Sequence, residues 1–209
     1  MRRRLIHGTF AAILALAASG PAWAGAYEEG LSAYERGDFA TAVELWRPLA
    51  HRGDAEAEAG MGLLFSTGEG VAQDYKEAAR WLRSAADKGD VNGLRTLGHL
   101  YRLGQGVDKD DAKAANYYGL AAQQGDPEAQ NSLGLMFAQG LGVPRNFVEA
   151  YTWFALAAAG HSPENAAAIA SAEQNRDKAG GELTPAQLAE ARKRVKEWRP
   201  RDWATLNAR

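Results

Sequence analysis

The amino-acid sequence predicts an all-α protein, an α-solenoid of stacked antiparallel helix pairs. The first observation behind this prediction is a period: Gly-Asp pairs at positions 53, 89 and 125 recur with a step of 36 residues. Aromatic residues and Ala-Ala pairs keep the same step, and every unit carries start and stop signals for two short helices. A unit of this size cannot bury its own apolar face, so neighbouring units must stack to form a continuous core.

The composition is typical of a globular protein and excludes several classes of function. The 209 residues are 46% hydrophobic and 24% charged, with a net charge of -2. Because the chain has no basic excess, we expect no nucleic-acid partner. It has no cysteine, which excludes a disulfide framework, a cysteine-ligated zinc site and a thiol nucleophile.

Residues 1–24 have the pattern of a secretory signal peptide. Three arginines at positions 2 to 4 precede an apolar stretch over roughly 10–18, and Ala22-Trp23-Ala24 is a typical cleavage pattern. We expect cleavage after Ala24 and a periplasmic or secreted protein with no stable membrane span. An uncleaved anchor is the alternative. Without the three arginines, 21 basic residues face 26 acidic ones, so the mature chain is mildly acidic.

Each 36-residue unit is predicted to contain two helices, A and B. Helix A begins after an aspartate whose side chain can accept a bond from a free backbone N–H, and it ends at a glycine. A G-x-G-V connection follows, and a second capping residue starts helix B. Glu77 and Glu149 lie three residues beyond their caps, which predicts reciprocal capping boxes there. The predicted caps are Asp54, Asp90 and Asp126 for helix A, Gly68, Gly104 and Gly140 at its end, and Asp74, Asp110 and Asn146 for helix B.

A glycine also recurs inside helix A, at positions 62, 98 and 134. Glycine in a helix interior costs about 1 kcal/mol relative to alanine. Its recurrence at one phase therefore predicts that the backbone of the partner helix approaches closely at this position. The G-x-G pairs of the connection recur in the same way, which favours a structural role over a phosphate-binding loop.

The combined pattern, from A-x-x-x-L-G-x-x-Y through G-x-G-V to A-x-x-W-x-x-x-A-A, resembles the Sel-1-like repeat family, a relative of the tetratricopeptide repeat. The resemblance implies a right-handed solenoid with three full repeats at 53–88, 89–124 and 125–160. Residues 25–52 resemble a tetratricopeptide-like N-terminal helix pair with a shortened loop. Residues 161–199 are predicted to form a C-terminal capping helix pair with Gly180-Gly181 as a flexible link, followed by a tail at 200–209.

No residue pattern indicates catalysis, a cofactor or a metal ion, and we expect a protein that is not an enzyme. His51, His99 and His161 fall in different units without metal-ligand spacing. The aspartates at 108, 110 and 111 are explained by the loop and the cap of helix B. Cysteine-rich secreted relatives have been assigned β-lactam hydrolysis, but this chain has neither their cysteines nor an S-x-x-K motif.

The exposed face of helix A is the predicted partner-binding surface. The resemblance implies that this face is concave, and the middle unit places there two arginines and a histidine that do not recur. Such a stripe would bind an acidic peptide segment or an anionic glycan, and a solvated polar face is the alternative. The candidate residues are Arg95, His99, Arg102, Asn131, Leu135 and Leu63.

The resemblance therefore implies a non-enzymatic scaffold for a protein or peptide partner in the cell envelope, with regulation of an envelope or signalling complex as its expected role. The alternative function is a peptidoglycan- or polysaccharide-associated protein that binds or processes its glycan. The C-terminal tail, with tryptophans at 198 and 203, has two interpretations. It either caps the last helices against solvent or serves as a docking peptide.

Overall fold

The structure is a computed structural model that describes residues 25–208, so the predicted signal peptide lies outside the described residues. Those residues form eleven α-helices and no strand, which confirms the predicted α-solenoid of helix pairs. Across 25–208, none of the helices is both long enough and apolar enough to cross a membrane. The helices are α1 Ala26–Glu35, α2 Phe39–Ala50, α3 Ala55–Thr67, α4 Tyr75–Asp87, α5 Val91–Leu103, α6 Asp111–Gln123, α7 Pro127–Gln139, α8 Phe147–Gly160, α9 Ala166–Gly181, α10 Pro185–Glu197 and α11 Trp203–Asn207.

The predicted caps set the helix ends in all three full units. The Asp90 carboxylate accepts a hydrogen bond from the Gly93 N–H at 2.7 Å, and Asp110 accepts one from the Lys113 N–H at 2.9 Å. Equivalent bonds are made by the other four predicted capping side chains. The helix A glycines end their helices in the left-handed conformation, with φ of 79°, 71° and 72° at Gly68, Gly104 and Gly140.

The capping boxes expected at Glu77 and Glu149 are not formed, and this prediction was wrong. The Glu77 carboxylate pairs with Arg80 on the same helix. Glu149 accepts from the Trp153 indole at 3.1 Å and from Arg194 of α10 at 2.6 Å. The backbone N–H groups that the boxes need are already used, because those of Asp74 and Asn146 donate to the carbonyl oxygens of Phe65 and Phe137, both at 2.9 Å.

The recurring glycine inside helix A lies where helix B of the same unit packs closest. A Cβ atom at Gly62 would lie 2.5 Å from Leu82 Cγ, and one at Gly134 would lie 2.7 Å from Phe154 Cε1. The partner helix does approach closely, but the prediction that its backbone does so was wrong, because the nearest atoms are those of a large side chain. The Ala78 carbonyl oxygen would lie 3.3 Å from the same Cβ position at Gly62. The glycine therefore makes room for the ring or branched side chain that fills the seam.

The second glycine of each G-x-G connection joins neighbouring units. Gly106 has φ of 69°, and a Cβ there would overlap the carbonyl oxygen of Tyr75, the first residue of α4. Gly142 has the same relation to Asp111 at the start of α6. Each connection thus rests on the first turn of helix B in the preceding unit. Only a residue without a side chain tolerates both this contact and this backbone conformation.

The C-terminal helices differ from the predicted capping pair. Helices α9 and α10 both pack on α8 and have no comparable contact with each other. The expected flexible link at Gly180-Gly181 is wrong, because α9 continues through both glycines and is capped by Glu182. A Cβ atom at Gly180 would lie 3.3 Å from the Tyr151 ring of α8. Close packing on α8 is therefore the reason for this glycine.

After α10 the chain turns back along the repeats as a segment that we call the C-terminal strap, residues 198–207. The Arg201 N–H donates to the Gln123 carbonyl oxygen at 2.8 Å. The Trp203 ring covers Gly89, where a Cβ would overlap the indole. The strap thus lies on two successive turns between helix B and the next helix A, the one after α6 and the one after α4. It belongs to the body of the solenoid and does not simply cover the outer face of its last helix.

Candidate functional site

The first helices of successive units lie on the inner side of the solenoid. Within the three full repeats, helix α3 contacts α5, whereas the second helices α4, α6 and α8 make no comparable contact with one another. A stack whose A helices lie closer together than its B helices curves toward the A helices. The exposed face of α3, α5 and α7 is therefore the concave face, which is where the partner-binding surface is predicted.

A cleft of about 530 Å³ crosses this concave face at its centre. Helices α3, α5 and α7 form its walls, and the starts of α4 and the connection after α5 close one side. Among the predicted site residues, Leu63, Arg95 and His99 line it. The structure thus brings three of the six candidates together in one depression.

Arg95 is held in place by carboxylates of the next unit. Its Nη1 lies 2.7 Å from Asp126 Oδ2 and 2.8 Å from Glu128 Oε2, and its Nη2 donates to the Asn92 side chain at 2.8 Å. Burial raises the pKa of Asp126, and the nearby Arg95 guanidinium opposes that rise. The charge of Arg95 is therefore balanced within the chain, and the residue links α5 to α7 as well as lining the cleft.

His99 is exposed on the wall of the cleft, where a ligand can reach it. Partial withdrawal of its imidazole from water lowers its pKa, and the positive charge of Arg102 lowers it further. Near neutral pH the ring is therefore uncharged, with one nitrogen that donates and one that accepts a hydrogen bond. The predicted basic stripe consequently has less positive charge than its sequence indicates.

The other three candidates lie beside the cleft and not on its wall. Arg102 is half-buried on α5, one turn past His99. Asn131 accepts a hydrogen bond from the Asn175 side chain of α9 at 3.3 Å, which engages it within the fold. Leu135 is 36% exposed on α7, so it extends the apolar part of the concave face toward the C-terminus.

Several wall residues were missed by the sequence interpretation. The most prominent is Leu103, which is 44% exposed at the C-terminal end of α5. A comparison of the three units could have indicated Leu103, because the equivalent residues in the other two units, Thr67 and Gln139, are polar. Hydroxyl groups complete the wall, and the one at position 66 lies at the equivalent of Arg102 on the predicted face. They belong to Ser66, Thr67, Thr96 and Ser132, with Tyr75 and Tyr118 from the second helices.

The cleft combines exposed leucine side chains with neutral hydrogen-bonding groups. Such a mixture suits a peptide segment, whose backbone amides need donors and acceptors and whose side chains need apolar contact. The balanced charge of Arg95 and the neutral His99 reduce the attraction for a strongly anionic ligand.

The chain belongs to the Sel1 repeat family. The family model, Sel1 repeat, matches residues 14–54, 55–90, 94–126 and 127–162, which is well over half of the chain. The first matched repeat covers the N-terminal pair α1 and α2 and extends upstream of the described residues. No curated protein matches the chain.

Solved structures of bacterial repeat proteins are similar to this chain. A Sel1 repeat protein from Oxalobacter formigenes has 29% identity and a TM-score of 0.65, over 85% of this chain and 70% of that protein. The c5321 protein, a protective antigen present in uropathogenic Escherichia coli strains, has 26% identity and a TM-score of 0.57. That match covers 84% of this chain and 45% of the antigen, so the present chain spans less than half of that protein.

The family determines the general class of function. Sel1 repeat proteins are in general protein-interaction scaffolds with a non-catalytic fold. The expected class of function, a repeat scaffold that binds other proteins, agrees with this general role.

Proposed function

We propose that this protein is an exported scaffold that binds a segment of a partner protein in its concave cleft. The observation that carries the proposal is the cleft of about 530 Å³ whose wall residues differ from unit to unit. Residues that maintain the repeat fold recur with the period, whereas His99 and Leu103 do not recur. Nothing in the fold requires these two side chains, because both are exposed.

The partner chemistry that supports this proposal is that of a mostly neutral peptide with apolar side chains. Leu63, Leu103 and Leu135 offer apolar contact along the concave face, and His99 offers one donor and one acceptor. A periplasmic or secreted location is proposed from the signal pattern at 1–24. A role in an envelope or signalling complex is proposed from that location.

Site-specific photo-crosslinking in intact cells tests it. A benzophenone amino acid at position 103 should capture one defined protein. The same group at Lys178, which is exposed on α9 outside the cleft, should not capture it. The purified partner should then bind the His99→Ala/Leu103→Ala variant at least about tenfold more weakly than wild type, as expected for loss of a central contact pair. Lys178→Ala should bind as wild type does.

Two results would contradict the proposal. Equal capture from positions 103 and 178 would show that the cleft has no special role. Crosslinks to peptidoglycan or polysaccharide fragments, without a protein, would favour the glycan-associated alternative. Export is tested separately by the N-terminal mass of the mature protein, which should begin at Gly25.

A further inference from the structure

A second groove lies on the opposite, convex side of the solenoid. It runs between α6 and α8, has a volume of about 480 Å³, and is lined by partly exposed apolar side chains above a floor provided by α7. Phe137 forms part of the floor and Trp153 one wall, while Gly119 and Leu120 face them from α6. No residue of the concave cleft takes part, so this groove is independent of the function proposed above.

The equivalent groove one unit earlier, between α4 and α6, is filled by the chain itself. Its floor is Tyr101, which stacks on Tyr117 with ring centroids 5.6 Å apart. Arg83 donates to the Tyr101 hydroxyl at 3.2 Å. The Lys113 ammonium lies 5.2 Å from the Tyr101 ring centroid. Two cations of the chain therefore cover the aromatic floor of this groove.

Both cations are missing 36 residues later. Gly119 stands where Arg83 stands, and a Cβ atom at Gly119 would meet nothing within 4 Å. Glu149 stands where Lys113 stands, so the charge at that position is reversed. The later groove keeps an aromatic floor and wall, as Phe137 and Trp153, but has lost both side chains that cover them and the floor hydroxyl to which Arg83 donates. It has gained a carboxylate instead.

The carboxylate already attracts a guanidinium from outside the repeats. Arg194 of α10 lies 2.6 Å from Glu149 Oε1, and the Trp153 indole N–H donates to the other oxygen at 3.1 Å. The Glu149 side chain remains 28% exposed, and that of Arg194 remains 44% exposed. The rim of the groove therefore already holds one guanidinium of the chain against this partly exposed carboxylate, while the space over Gly119 stays open.

We propose that the convex groove between α6 and α8 binds an arginine-bearing segment of a partner protein, whose guanidinium takes the place that Arg83 has in the preceding groove. The guest guanidinium lies over the aromatic side chains Phe137 and Trp153, where attraction between a cation and a π-system is favourable, and near the carboxylate of Glu149. An apolar side chain next to the arginine packs on Leu120 and Val143.

The test uses the full mature chain and two small probes, acetyl-Leu-Arg-amide and its neutral analogue acetyl-Leu-citrulline-amide. Binding is followed by NMR at the Trp153 indole N–H and at the backbone amide of position 119. The arginine probe should give saturable shifts. The citrulline probe should bind at least about fivefold more weakly than the arginine probe, since it lacks the charge.

Two substitutions at position 119 distinguish loss of probe binding because the groove is filled from loss of binding because the protein unfolds. Gly119→Arg restores the chain's own arginine, so it should abolish the shifts while the protein stays folded. Gly119→Ala is the matched control and should bind the arginine probe as wild type does. Both variants should keep the circular dichroism of wild type, because position 119 opens to free space.

Three results would overturn the proposal. Equal binding of both probes would show an apolar groove without preference for cations. Undiminished binding by Gly119→Arg would place the probe elsewhere. Dimerisation of wild type that Gly119→Arg abolishes, measured by sedimentation, would show that a second copy of the chain occupies the groove.

Discussion

The contacts that hold the three full repeats to one another differ in kind from those that hold the C-terminal strap to the repeats. In the repeats the contacts that form the seams occur three times at equivalent positions, as with the glycines at 62, 98 and 134. In the strap each contact occurs once, as with Trp203 on Gly89 and Arg201 on Gln123. Repeated contacts fix a geometry that every unit shares, whereas the strap ties a particular unit to a distant part of the chain.

The largest effect is expected where two units meet at a glycine. Gly106→Ala forces a left-handed conformation on alanine and also drives its methyl group into the Tyr75 carbonyl. We expect a loss of about 3 kcal/mol in the free energy of unfolding, from strain and overlap together. Urea denaturation followed by circular dichroism measures it.

Gly37→Ala is the matched control, because Gly37 has φ of 77° but open space around its Cβ position. It should lose only the strain of the conformation, about 1 kcal/mol. If both variants lose the same amount, the contact between units contributes nothing at this position.

The strap provides the next test of the comparison. Trp203→Ala removes a half-buried indole from the turn at Gly89 and should lower the free energy of unfolding by about 2 kcal/mol, below the cost of emptying a fully buried site. Arg199→Ala, at an exposed position whose guanidinium bonds only to carbonyls nearby in the chain, should be neutral. Unchanged stability of Trp203→Ala would show that the strap is not a stabilising part of the solenoid.

A smaller effect is expected at the seam inside a unit. Gly134→Ala gains about 1 kcal/mol of helix propensity but crowds Phe154, which costs about 2 kcal/mol, so a net loss of about 1 kcal/mol follows. Adding Phe154→Leu should relieve the crowding. The double variant should then lose less free energy of unfolding than the two single variants lose in sum. Purely additive effects would mean that the glycine is not required by the ring.

The smallest effect concerns the cleft. His99 should titrate below its ordinary value of 6.5, and Arg102→Ala should raise the pKa of His99 without restoring it fully, because partial burial is the larger cause. Since the folded pKa is the lower one, the contribution of His99 to stability is present above about pH 6.5 and is lost as the pH falls. NMR titration of the imidazole protons measures both values, and a pKa above 6.5 in wild type would contradict the geometry.

The helix ends and the seams were predictable from the sequence because their causes are local or repeated. An aspartate before a helix bonds an N–H three residues later, and a glycine at the end of a helix takes the left-handed conformation wherever it occurs. The pairing of Arg95 with Asp126 was not predictable in this way. Its partner lies 31 residues away and already served as a predicted cap, so nothing in the local pattern indicated a second role.

The sequence by itself determined the solenoid, its helix pairs and the family, since a period of 36 residues fixes which positions face the core in every unit. Only the tertiary structure decided the position of the strap, the continuation of α9 through Gly180 and the open groove beside Gly119. These features depend on single contacts between parts of the chain that are distant in sequence. Their partners become known only when the units are stacked, because the curvature of the stack decides which exposed side chains meet.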